Sequence, residues 1–277
     1  MKIVFGKRIV VGIYRNTALV AVAMLICCVG CVSAQSVADE SLRDKRVSLH
    51  MKAKTFRVIT ARLMFKYDVP IGFEQSILDN DPVIRYYQLE PQLPLDPKYM
   101  GDIEIPSFTT EVSAEYLLTV DFENARLEDV MDSIVSQMKN YQWTINDGVV
   151  NIFPIKGRDP RLEKLLGSNV DEFLYGKGQP IGSIEPKITF YLPMFQKFLD
   201  EYDLGTNNDI PYLECYGPNN NIECAGDRKL TAPIILKDVT FRELLNKITK
   251  IKRGGWLLRL TRSRPDDPQR EYLELKV

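Results

Sequence analysis

Few residues in this chain combine the type and the spacing that chemistry needs. His50, in "RVSLHMKAK", is the only histidine among 277 residues. An imidazole titrates near neutrality and serves as a general base. No serine or cysteine nucleophile is implied beside His50, so a strand or surface position is expected. Glu128, Asp129 and Asp132 crowd into "RLEDVMDSI". Two carboxylates can hydrolyse a glycoside, but only across a cleft and with one pKa raised. On the helix read below these three fall opposite the apolar stripe, as a solvated face. Glu74, Asp79 and Asp81, at the edge of an inserted segment, are the candidates should the chain be a cell-envelope glycan hydrolase. Asp79, Asp81, Asp96 and Asp102 lack the order of a calcium loop. "YGKGQP" and "RGGW" lack the lysine and hydroxyl of a phosphate loop. The expectation is a protein without catalytic residues, cofactor or metal.

Charge and cysteine suggest binding and compartment. Lys247, Lys250, Lys252, Arg253, Arg259, Arg262 and Arg264 follow one another without an intervening acid. Such a run suits lipid headgroups, a wall polymer or an acidic partner; nucleic acid is the poorer fit for an exported chain. A solvated face that keeps an edge strand from mispairing is the preferred explanation of the run. Cys215 and Cys224 flank "YGPNNNIE", a loop rich in turn formers, and a disulfide closing it is expected in an oxidising compartment.

Export is read from the first 34 residues. A basic start precedes the apolar run "TALVAVAMLICCVGCV", and "VSAQS" offers Val32 and Ala34 to a signal peptidase, with cleavage before Gln35. Two other fates are open: an uncleaved membrane anchor, or lipidation of Cys31 within "CVGC". The whole chain has a net charge of -1; without Lys2, Lys7, Arg8 and Arg15 it has 32 basic against 37 acidic residues, a balance of -5. That mature chain has no global attraction to nucleic acid or anionic lipid. The expected location is the periplasm or outer envelope.

The elements that must position these residues emerge from comparing the chain with itself. "TFRVITARL" (55–63), "RLEDVMDSI" (126–134) and "TFRELLNKI" (240–248) share one frame. Phe56, Ile59 and Leu63, then Leu127, Val130 and Ile134, then Phe241, Leu244 and Ile248 recur at the spacing of a helix with one buried face. Thr55 and Thr240 are cap residues, the second completed by Glu243 as a capping box; Asn124 is the candidate cap of the middle helix. "VSAEYLLTVDF" alternates like a half-buried strand, and Asp147-Gly148 between apolar runs signals a hairpin. "APIILKDV", "GGWLLRLTR" and "REYLELKV" put strands around the last helix. Trp143 and Trp256 open the strand after each helix, one residue out of step, as core or sheet packing. The middle and last copies therefore read strand–helix–strand–strand, and the first is partial. "LPMFQKFLDEY" is a further helix burying Phe195, Phe198, Leu199 and Tyr202. The fold class is α+β, built from small βαββ-type modules with helices on small mixed or antiparallel sheets. A signal (1–34), a domain over 45–156 with a proline-rich insertion at 75–106, and a second domain over 157–277 complete the plan.

Two of these stretches resemble the short N-terminal module of secretins and TonB-dependent receptors (STN). Leu236, Val239, Phe241, Leu244, Leu245 and Ile248 match its apolar frame, as do Phe122, Leu127, Val130, Met131, Ile134, Asp147, Gly148, Val150 and Ile152. The resemblance covers roughly a third of the chain and implies the module fold. No secretin pore or receptor barrel follows Val277, so the expectation is of modules working without their membrane machine. It leads to an exported, non-catalytic protein that binds or scaffolds an envelope protein or polymer.

Overall fold

The computed structural model describes residues 39–77, 117–206, 215–216, 223–224, 228–264 and 267–277; the side chains of 215–216, 223–224 and 262–269 are not among what it describes. The signal segment, Cys31, and Asp79, Asp81, Asp96 and Asp102 lie outside the described residues.

The chain is an α+β protein whose two halves use one order of elements. In the first, a short helical segment at 39–43 leads to β1 (Arg46–Lys54), α1 (Phe56–Tyr67) and β2 (Ile71–Glu74). After the insertion come β3 (Leu118–Arg126), α2 (Leu127–Met138), β4 (Tyr141–Asn146) and β5 (Val149–Pro154). The alternation of Val47, Leu49 and Met51, and of Leu118 and Val120, turns one face of the antiparallel β1–β3 pair inward. Asp147 and Gly148, with φ of 56° and 69°, close the β4–β5 hairpin as its Asp-Gly dipeptide requires. β2 adds to β5 in parallel, giving the order β4-β5-β2.

In the second half α3 (Pro160–Gly167) starts under the Asp159 cap and leads to β6 (Asn169–Tyr175). A short 3-10 turn, α4 (Ile184–Tyr191), α5 (Pro193–Glu201) and β7 (Gly205–Thr206) follow. Beyond the small β8 (Cys215–Tyr216) and β9 (Glu223–Cys224) pair come β10 (Ile234–Thr240), α6 (Phe241–Lys252), β11 (Gly255–Arg264) and β12 (Asp267–Lys276). Pairing matches the first half: β6 is antiparallel to β10, β11 to β12, and β7 is parallel to β12.

The likeness reaches single residues. The positive φ of Asn124 (48°) recurs at Asp238 (51°), and that of Lys139 (59°) at Arg253 (58°), each 114 residues on. The first helical N–H of α2 donates to Lys45 O (2.8 Å), and that of α6 to Ser168 O (2.9 Å), each acceptor lying just before its half's first strand. The helix starts differ in side chains. Thr240 and Glu243 form the capping box, and Thr55 Oγ1 accepts from Val58 N, but no side chain caps α2. Asn124 does not fill that role: it sits in a left-handed kink of β3, where its own N–H bonds to Ser48 Oγ (2.9 Å).

The three similar stripes therefore do not occupy three equivalent places. α2 and α6 correspond, whereas α1 is the first helix of its half and has the α4–α5 pair as its counterpart. Each half has its own core, around Phe56, Leu127, Met131 and Ile134 in the first, and around Phe195, Phe241, Leu244 and Ile248 in the second. β2 and β11 join the halves in parallel, Gly72 beside Trp256 and Phe73 beside Leu257, so the sheet order is β4-β5-β2-β11-β12-β7. Among the described residues no helix is long and apolar enough to cross a membrane.

Candidate functional site

Where the halves meet, the packing turns polar. Gly72 is required there: a Cβ on it would come within 2.2 Å of the Trp256 ring. The indole Nε1 donates to Asn246 Oδ1 (3.0 Å), and the Asn246 amide donates to Asn146 O (3.2 Å) and to Asp147 Oδ2 (3.4 Å). A fully buried asparagine on α6 is thereby satisfied by the first half's hairpin and by its own half's Trp256, as a buried polar group must be. At the other end of β2, Glu74 is fully buried and takes both hydrogen bonds of an Arg158 fork, at 2.6 and 3.0 Å. Arg242, from the first turn of α6, lies 3.6 Å from the same carboxylate. Burial pushes the Arg242 guanidinium below its ordinary pKa, while the bond to Glu74 raises that of Arg158. Glu74 belongs to the first half, Arg158 to the connection and Arg242 to the second half, so one carboxylate ties all three together.

Beside this junction opens a cleft of about 680 Å³. Its walls are Leu42 and Lys45 ahead of β1, Met64, Asp68 and Pro70 around the end of α1, the Gly148 turn, and Lys250 and Arg253 at the end of α6. The Lys45 ammonium donates to Asp68 O (3.3 Å) and that of Lys250 to Asp147 O (2.6 Å). Among the described residues no carboxylate pairs with Lys45, Lys250 or Arg253. The cleft thus offers cations on a partly apolar floor, from both halves at once. Its size lies in the range of small-ligand sites. Comparison with protein-family models, curated proteins and solved structures returns no match to this chain.

The structure separates the residues singled out by sequence. The basic run does not form one face: Lys247 and Lys250 are on exposed positions of α6, and Arg253 is its C-cap. Lys252 donates to Val277 O at the last residue. Arg259 is buried and donates to Glu274 (2.6 Å), because β11 turns it inward beside β12. The side chains of Arg262 and Arg264 lie outside the described residues. Glu74 is locked by arginine, whereas Asp129 and Asp132 are exposed on α2, Asp132 accepting from Trp143 Nε1 (2.8 Å). Glu128 is half-buried between Arg43 and Arg126. Among the described residues no group of three or more His, Cys, Asp or Glu side chains could hold a metal ion. Cys215 and Cys224 are backbone partners in the β8–β9 register.

His50 occupies the outward face of β1. Its Nδ1 lies 2.6 Å from Asp121 Oδ1 and its Nε2 lies 2.8 Å from Glu123 Oε2, with Ser48 Oγ donating to the same Glu123 (2.9 Å). The bond to Asp121, then that to Glu123, raises the imidazole pKa above its ordinary value. Both ring nitrogens thus have a carboxylate partner. Sequence reading missed Arg158, Arg242 and Asn246, because partners this far apart in the chain leave no local spacing.

Proposed function

We propose that this chain is an exported, non-catalytic protein of the cell envelope, in which two STN-like halves hold a protein or polymer partner at the cleft between them. The partner's contacting part is anionic. The observation carrying this reading is the convergence of Lys45, Lys250 and Arg253, unpaired by carboxylates, on a cleft that both halves line. A shared sheet and the Glu74 ion cluster favour a platform that meets its partner preformed, which lowers the ordering cost of binding. Nucleic acid is not the expected partner, since the mature chain carries a balance of -5. Export is supported by the basic and apolar character of residues 1–34. In an oxidising compartment the facing Cys215 and Cys224 form a disulfide, which intact mass before and after reduction would register as two hydrogens.

The test is retention of mature protein, starting at Gln35, on envelope material from which the lipid has been extracted. Charge reversal at Lys250→Glu with Arg253→Glu is expected to lower retention tenfold or more while the fold persists. No retention of the unaltered protein, or equal retention of both, would overturn the reading.

A further inference from the structure

The outward face of the β6–β10 pair carries large apolar side chains in the open. Leu174 and Ile235 are direct register partners there, 50% and 60% exposed. They wall a groove of about 290 Å³ together with Pro233, Gln179 and the aliphatic part of Lys187. The Lys187 ammonium lies 5.4 Å from the ring centre of Tyr191, itself 70% exposed, which extends the apolar surface along α4. Strand alternation does not require this. Phe173, Tyr175 and Ile234 already supply the inward face, and outward positions in a sheet are where polar residues suffice.

A rim of cations surrounds the apolar centre. The turn carrying Lys177 is zipped to the segment carrying Lys229: Gly178 N donates to Leu230 O (2.9 Å), Leu230 N to Gln179 O (3.0 Å) and Ile181 N to Arg228 O (2.8 Å). Lys177, Lys187 and Lys229 are exposed, and among the described residues no carboxylate pairs with them. Glu172, an acid of β6 on this face, is paired with Lys237 at 2.9 Å. Isolated exposed apolar residues are unremarkable, whereas a contiguous group marks a surface that meets something. Apolar and aromatic side chains inside a lysine rim match the layering of an anionic bilayer surface, with acyl boundary at the centre and phosphate around it.

We propose that the β6–β10 face is a peripheral docking surface for anionic phospholipid. Leu174, Ile235 and Tyr191 enter the headgroup layer, and Lys177, Lys187 and Lys229 meet lipid phosphates. This site is separate from the cleft between the halves and does not depend on it.

The test is co-sedimentation of the mature protein with phosphatidylglycerol/phosphatidylethanolamine vesicles, against vesicles of phosphatidylcholine alone. Binding is expected to the first and to be weak with the second. Replacing Lys177, Lys187 and Lys229 by Gln should lower partitioning roughly 100-fold, from about 1 kcal/mol per cation near an anionic surface. Leu174→Ser with Ile235→Ser should lower it at least tenfold, and Ile155→Ser, at an exposed apolar residue elsewhere, should leave it unchanged. Ile235→Trp gives a direct readout: its emission should shift to the blue with anionic vesicles. No binding, binding indifferent to these changes, or an unshifted tryptophan would overturn the proposal. So would a dimer in solution that Leu174→Ser with Ile235→Ser converts to monomer, since a second copy would then own the face.

Discussion

At one equivalent place the two halves carry opposite chemistry. His50 faces Asp121 across the outward side of β1–β3, and Leu174 faces Ile235 across the outward side of β6–β10. Asp121 and Ile235 stand 114 residues apart, the same interval that separates the left-handed Asn124 and Asp238. The inward positions of both pairs are alike: Leu49 and Val120 in one half, Phe173 and Ile234 in the other, all buried. Burial dictates the inner face because lost apolar contact costs stability. The outer face is released from that demand and has become a charged cluster on one half and a greasy pair on the other. Fold is shared where the chain is buried, and the halves have diverged where it meets solvent.

The largest effect is expected from cutting what makes the halves act together. Glu74→Ala leaves the Arg158 and Arg242 guanidinium groups without the carboxylate between them, and removing one side of a buried pair costs about 3–5 kcal/mol. Urea denaturation should show that loss as one transition in which both halves unfold earlier together. Next in size is Gly72→Ala, whose Cβ would meet the enclosed Trp256 ring at 2.2 Å. Overpacking of this kind costs about 1–3 kcal/mol, and the melting temperature should fall accordingly. Gly205 repeats the arrangement under Tyr272, at 2.5 Å, but at the sheet's outer edge. Gly205→Ala is therefore expected to cost less, and the difference between the two glycines measures how much tighter the junction is than the edge.

Smaller effects separate the helix starts. Thr240→Ala removes the hydroxyl that accepts from Glu243 N, leaves the Thr240 N–H bonded to the Glu243 carboxylate, and should cost about 1 kcal/mol. Arg126→Ala, at the matching position of α2, removes ion pairs to the exposed Asp44 and the half-buried Glu128, which keeps Arg43, and should cost under that. Paired denaturation curves would show the asymmetry. The smallest effect belongs to His50. Its folded pKa lies above the ordinary 6.5, so the Asp121 and Glu123 contacts contribute fully below that value. Their contribution is lost as pH rises through the raised folded pKa. An NMR titration of the single imidazole should give a midpoint above 6.5 that falls in Asp121→Asn.

Much of the architecture was legible because it is local. The period of Leu127, Val130 and Ile134, the Thr240–Glu243 cap and the Asp147-Gly148 turn are short-range signals, and the helices and hairpin stand where they point. α3 and β6 carried signals as well, an Asp159-Pro160 start and the alternation of Val170, Phe173 and Tyr175. Their shortness hid them. The junction was illegible for a different reason. Glu74 meets Arg158 and Arg242 across 84 and 168 positions of chain, and no spacing rule anticipates that. The basic run shows the converse: seven neighbours in sequence were dispersed by the helix-to-strand turn at Gly254, which sent Arg259 inward and left Lys250 and Arg253 at the cleft.

Hydrogen exchange reports whether the halves form one body through β2 and β11. The amide of Gln75 donates across the junction to Leu258 O at 3.1 Å. This amide should exchange as slowly as those of Ile134 in α2 and Ile248 in α6, opening only when the whole molecule unfolds. Rapid exchange at Gln75, while both helices stay protected, would mean that the halves part in solution and would contradict it.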